Sequence, residues 1–292
     1  MRRRRMKKQK KIIIISSLCL FMCLCVGYAA FYTHLSLKAK GNIRIKPHCD
    51  FAGIKVNTVT EGDGLYEDIY EEGKCTYKGT DPNNYITFNG ETWRIISIDT
   101  DKTIKIMRNE DIGNKAWDAT GGTYGSNDWN RPADLNTYLN ETYLFTIADV
   151  DKIVSHDWPI GSVVNNNNDL SVQIMNENSK MWSGNVGLIT VSEYLRANKN
   201  MQQCGTLSLN NTNKSTCLTT NWMYSIVPSA GFLWTVSAVS DSSNFVHYVY
   251  SYGNVASRYV NSGYYVAPVV YLKSIITLSG SGTQTDPYVI NE

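Results

Sequence analysis

The chain has 292 residues, 42% apolar and 18% charged, an ordinary globular balance that excludes a collagen-like or fully disordered chain. Its formal charge of +2 conceals an asymmetry: eight of the 28 Lys and Arg lie in residues 1–11, so 20 bases face 26 acids in the remainder, a net of −6. An acidic body argues against nucleic-acid binding by phosphate neutralisation.

The basic run "MRRRRMKKQKK" is followed by "IIIISSLCLFMCLCVGYAAFY", residues 12–32, which carries no charge. At helical rise this segment is long enough to span a bilayer's hydrocarbon core. The positive flank would stay cytoplasmic, so the rest of the chain would face outward. The rival reading is a signal peptide cleaved near the small residues Gly27 and Ala29. Either way everything after Tyr32 is expected outside the cytoplasm, as a single-pass membrane protein or a secreted one. Cysteine usage agrees. Four cysteines lie beyond the apolar segment, Cys49, Cys75, Cys204 and Cys217, and an even number in an exported region indicates disulfides. Three pairings are possible, and the local one, Cys49–Cys75 with Cys204–Cys217, is expected. There is no Cys-x-x-Cys beyond the apolar segment and no His pair at ligand spacing, so neither a metal site nor a cofactor is expected.

Residues 33–80 read as a juxtamembrane stalk with short strands. Within it, "EGDGLYEDIYEE" (61–72) lacks the spacing of an EF-hand loop and reads as a solvated acidic face. The folded domain is assigned to 81–292. "YITFNGETWRIISIDTDKTIKIMRN" reads as a β-meander, with Asn89-Gly90 as a hairpin turn, a second turn at Asp99 to Lys102, and Trp93, Ile95 and Ile104 as core. "RPADLNTYLN" predicts a short helix with Pro132 in its first turn and Leu135 and Leu139 on one face. In "VGLITVSEYLRANKN", a strand runs into a helix whose start is set by a Thr190–Glu193 capping box. "LWTVSAVS", residues 243–265 and "YVAPVVYLKS" read as successive strands. With no alternation of strand and helix, the fold class is α+β, built from antiparallel sheets and short helices.

"NYITFNGETWRII", "WDATGG…NDWNRPADLNTYLN", "KIVSHDWPIG", "GLITVSEYLRAN" and "APVVYLKS…GSGTQTDPYVI" resemble a family of exported bacterial domains of unknown function. That family is similar to the C-type-lectin-like fold, shared with formylglycine-generating-enzyme-like domains and with the target proteins of diversity-generating retroelements. The N-terminal segment resembles those of Gram-positive surface and matrix proteins. The chain departs from the pattern at Leu233-Trp234-Thr235-Val236-Ser237-Ala238, where relatives carry a double tryptophan and Ser-Pro, and at Val266-Ala267-Pro268, where they carry Val-Arg-Pro. The missing arginine removes a polar anchor from the last strands.

"SNFVHYVYSYGNVASRYVNSGYY" (243–265) holds six tyrosines among serines and asparagines. In retroelement targets, a C-terminal segment of this kind is the variable ligand-binding surface. Tyrosine supplies amphipathic contact area at low entropic cost, and Ser, Asn and Gly adapt their hydrogen bonds. The pleat predicts Tyr248, Tyr250 and Tyr252 on one side of a strand, with His247, Val249 and Ser251 on the other. The ligand face is assigned to Trp234, Tyr248, Tyr250, Tyr252, Arg258, Tyr259, Tyr264 and Tyr265. The bland alternative is sheet decoration, since tyrosine is a good strand former. Catalysis is not expected. Cys204 and Cys217 read as a disulfide rather than a reactive pair, and Ser155-His156-Asp157 are too close in sequence to converge as a triad. The motifs of calcium-dependent sugar binding are absent, and the Asn-x-Ser/Thr sites at Asn140, Asn210 and Asn213 read as surface loops. The resulting expectation is a non-catalytic cell-surface protein that recognises a glycan or a surface protein. The alternative is an envelope or matrix component that self-associates.

Overall fold

The computed structural model describes residues 48–120, 125–131, 133–165, 168–207, 214–229 and 231–291. The basic run, the apolar segment 12–32 and residues 33–47 lie outside them, as does Pro132. Among the described residues no helix is long and apolar enough to cross a membrane.

The architecture is α+β, mostly antiparallel sheet with short helices. Two hairpins come first, β1 (His48–Phe51) with β2 (Ile54–Asn57), and β3 (Gly64–Glu67) with β4 (Cys75–Lys78). The meander follows as β5 (Tyr85–Phe88), β6 (Glu91–Ile98) and β7 (Ile104–Arg108). Asn89 and Gly90 make its first turn, both with positive φ (55° and 70°), the pairing a two-residue hairpin of this twist requires. Trp93, Ile95 and Ile104 are fully buried. β8 (Asn114–Ala116) precedes α1 (Asp134–Tyr138), whose Leu135 is buried together with Leu139 one turn on. Then come β9 (His156–Pro159), α2 (Leu170–Glu177), β10 (Met181–Gly184), β11 (Val186–Gly187) and α3 (Val191–Arg196). The capping box is formed: Thr190 Oγ1 accepts from the Glu193 N–H at 3.1 Å, and Glu193 Oε2 accepts from the Thr190 N–H at 2.9 Å. The short helices α4 (Met201–Cys204) and α5 (Lys214–Thr219) lead to β12 (Phe232–Ala238), β13 (Phe245–Tyr250), β14 (Val255–Tyr259), β15 (Gly263–Tyr265), β16 (Val269–Leu272), β17 (Leu278–Ser279) and β18 (Tyr288–Ile290).

Two sheets carry the domain. The larger runs β11-β16-β7-β6-β5-β18-β17, with β4 on β6 and β3 on β4; the smaller runs β14-β13-β12-β15-β8. Parallel pairing occurs at β18 with β5 and at β12 with β15. Val266 and Ala267 are buried between β15 and β16, and β16 pairs with β7 over four registers.

The expected boundary at 81 is corrected. The compact unit is Pro47–Glu292, and β4 joins the large sheet through Cys75↔Ile98 and Thr76↔Ser97. Leu65, Cys75 and Tyr77 belong to the core. The acidic stretch is not wholly solvated either. Asp68 is buried, and Arg196 Nη1 pairs with it at 2.7 Å and also with Glu71. A charged residue goes inside when a partner and hydrogen bonds meet it there, and here the partner is 128 residues away. Asn140 is also corrected. Rather than lying in a surface loop, its side chain donates to the Val186 C=O at 2.9 Å and accepts from the Val186 N–H at 3.0 Å. Asn210 and Asn213 lie outside the described residues. Both expected disulfides, Cys49–Cys75 and Cys204–Cys217, are formed.

Candidate functional site

The five strands of the smaller sheet are poor in charge and rich in aromatic residues, and register decides which rings meet. Trp234 lies opposite Tyr248, Phe232 opposite Tyr250, and Tyr264 opposite Lys115. Directly opposed residues share a face, with side chains close enough to touch. The Phe232 ring stacks on Tyr250 (centroids 5.0 Å, planes 6° apart) and on Tyr264 (4.6 Å). Tyr264 packs on Trp234 at 4.5 Å and on Tyr248 at 4.9 Å. At the strand end, Tyr252 meets Tyr250 edge-on at 4.7 Å. The result is a continuous row of six rings across three strands and one turn. Offset and edge-to-face pairs at these separations add about 0.5–1.5 kcal/mol each beyond area burial, so the row is held in place before any ligand arrives.

The predicted alternation along β13 is observed: His247, Val249 and Ser251 are buried, Tyr248 and Tyr250 are half-buried, and Tyr252 is 50% exposed. Of the other expected face residues, Arg258 is exposed on this side, beside Tyr248 and Tyr264. Three residues are placed differently. Trp234 is only 1% exposed, with its indole N–H donating to the Lys115 C=O at 3.0 Å; it is the floor of the row rather than a contact surface. Tyr259 points to the opposite face, against Phe245 at 4.2 Å. Tyr265 is also on the opposite side from Tyr264, its ring lying where a Cβ on Gly231 would collide at 2.6 Å.

Phe232 is the residue the sequence reading missed, and it touches three of the tyrosines. Its signal was present: it precedes Trp234 by two, so a period-two reading of β12 places both on the face of Tyr248 and Tyr250. Two lysines were also missed. Lys115 lies opposite Tyr264 at one end of the row, with its Nζ 3.8 Å from the ring centroid of Tyr138 outside the row, and Lys214 Nζ lies 3.8 Å from the centroid of Tyr252 at the other end.

Some of the serine, glycine and asparagine has a structural use. Residues 251–254 form the β13–β14 turn, in which Gly253 has φ +78° and the Tyr250 N–H donates to the Asn254 C=O at 2.8 Å. Tyr224 Oη donates to the Ser251 C=O at 2.6 Å and Tyr194 Oη to the Gly253 C=O at 3.1 Å, tying the turn to the domain.

Burial raises the Tyr248 and Tyr264 phenols, and Arg258 opposes this without overcoming it, so both stay protonated at neutral pH. The face therefore offers ring surface, neutral hydroxyls and fixed positive charge. His247 points to the other side; burial pushes its imidazole down to about 4, against weaker support from the backbone of Val163 and Ala256. The Ser155-His156-Asp157 trio does not assemble. His156 stacks on Tyr271 at 3.8 Å, and Asp157 accepts instead from Ser183 Oγ.

No family model matches this chain, nor does any curated protein or solved structure match it.

Proposed function

We propose that this chain is an exported bacterial surface protein that binds a glycan or a protein partner through the ring row of its smaller sheet, without catalysis. The C-type-lectin-like assignment belongs to the same proposal and rests on the sequence resemblance and on the α+β, antiparallel character of the domain. The membrane tether rests on residues 12–32 and the basic flank.

One observation carries the reading. Five half-buried or exposed rings, Phe232, Tyr248, Tyr250, Tyr252 and Tyr264, are pre-packed into one row above a buried Trp234. Aromatic residues of limited rotamer freedom, fixed before binding, lose little entropy when a ligand arrives. Simple sheet decoration accounts for single cross-strand pairs, but not for a row continued into the β13–β14 turn by Tyr252. The self-association alternative has one feature in its favour: β14 is terminal in its sheet, and an unpaired strand edge can template pairing with a second copy.

The test is the triple substitution Tyr248→Ala, Tyr250→Ala, Tyr252→Ala in the full-length chain. Ligand capture should be lost while the chemical unfolding transition survives. A triple variant that does not fold would make these rings core and sink the reading. Concentration-dependent assembly of the wild type, abolished by substitutions on β14 alone, would favour self-association. Sequencing codons 234–265 across a source population, against an upstream segment, tests diversification. Changes should concentrate at Tyr248, Tyr250 and Tyr264 and spare Trp234, which the sheet needs as its floor.

A further inference from the structure

The smaller sheet contains no acidic residue in any of its five strands, although acids outnumber bases by six in the body of the chain. Some surface cations elsewhere are paired: Arg108 holds Glu91 at 2.7 Å, Lys180 holds Asp128 at 2.7 Å, and Lys199 holds Asp63 at 2.7 Å. Among the described residues, no carboxylate pairs with Lys115, Arg258 or Lys214, the three cations that border the ring row. Lys115 and Lys214 rest over tyrosine rings at 3.8 Å. A ring face attracts a cation through its quadrupole but does not cancel its charge. The row thus has a positive group at each end and another, Arg258, beside Tyr248 and Tyr264, with no carboxylate among the described residues paired to any of them.

Resting on the ring-row reading, we infer that the partner is a linear carboxylated saccharide, a chain of uronate residues, lying along the row with its carboxylates on Lys115, Arg258 and Lys214. Three features favour this chemistry. The positive edges of sugar C–H groups suit the negative faces of stacked rings. Tyrosine hydroxyls at the rim can donate to or accept from sugar hydroxyls. The guanidinium of Arg258 matches a carboxylate with two parallel hydrogen bonds, which a point charge cannot do. The three cations come from three different elements, β8, β14 and α5, rather than from one, which fits charge repeated along a polymer.

The experiment compares an oligogalacturonate with its fully methyl-esterified form, using the full-length chain purified in mild detergent. The two probes share the sugar ring and differ in charge. The acid should bind about tenfold or more tightly than the ester. Added salt should weaken the acid and leave the ester unchanged, because exposed charges are screened. Arg258→Gln, Lys115→Gln and Lys214→Gln together should abolish the preference, with the unfolding midpoint unchanged. Equal binding of acid and ester, both lost in the Tyr248→Ala, Tyr250→Ala variant, overturns the charge assignment and leaves the ring row as the site. Retention of an acidic protein with no saccharide bound overturns it in the same way. If no probe of any class shows binding that depends on those tyrosines, the ring-row reading falls with it.

Discussion

Glu193 is the side chain whose loss should damage the domain most for its size. Its Oε1 accepts from Lys105 Nζ at 2.6 Å, and both side chains are almost completely buried. Its Oε2 caps α3. Burial works against the ionised carboxyl, but Lys105 and Lys74 overcome it and hold Glu193 below the usual glutamate range. Glu193→Ala leaves Lys105 as an uncompensated buried cation. Breaking such a pair from one side costs about 3–5 kcal/mol, and losing a cap about 0.5–2 kcal/mol. One residue supplies both, so the losses overlap and a total of about 4–6 kcal/mol is expected. That is a large fraction of the roughly 5–15 kcal/mol that holds a domain. The damage reaches the ring row, because the Val191 N–H at the start of α3 donates to Ser237 Oγ on β12, the strand of Phe232 and Trp234. Urea unfolding followed by tryptophan fluorescence, with disulfides intact, measures the loss. Lys105→Met with Glu193→Gln should recover much of it, since no unpaired charge then remains inside. A Glu193→Ala variant within about 1 kcal/mol of wild type, or a double variant as unstable as it, would refute this account.

Other expectations follow from neighbouring features. Trp234→Ala should cost about 3–5 kcal/mol, as for other buried aromatic truncations, whereas Tyr252→Ala should stay within about 1 kcal/mol; similar losses for both would contradict their different burial. His247 takes up a proton near 6.5 when unfolded and only near 4 when folded. The unfolded state therefore binds more protons between those values, and stability falls as pH drops from 6.5 to 4. The fall should be about 3 kcal/mol, levelling off below 4, and His247→Phe should remove that part of the slope. Opening the Cys204–Cys217 bridge by Cys204→Ser, Cys217→Ser should cost about 3 kcal/mol in the chain-entropy model. Peptide mapping without reduction should recover that bridge and Cys49–Cys75, and either crossed pairing would contradict the fold.

Local signals were fully legible in the chain. The Asn89-Gly90 turn, the Thr190–Glu193 box and the face alternation of 247–252 each depend on residues a few positions apart, whose stereochemistry is self-contained. The local disulfide pairing was likewise read from spacing, and the described bridges agree. Partnerships across the chain were not legible. Nothing in "EGDGLYEDIYEE" indicates that Asp68 will meet Arg196, so the stretch read as solvated stalk when it belongs to the domain. The eight aromatic and basic residues assigned to one face divided for the same kind of reason. Period two within a strand says which residues share a side, but sheet order and register decide which strands are neighbours and which side is covered. Those are properties of hydrogen bonding between distant segments. Trp234 became a floor, Tyr259 and Tyr265 turned away, and Phe232, with Lys115 and Lys214 at the ends, completed the row.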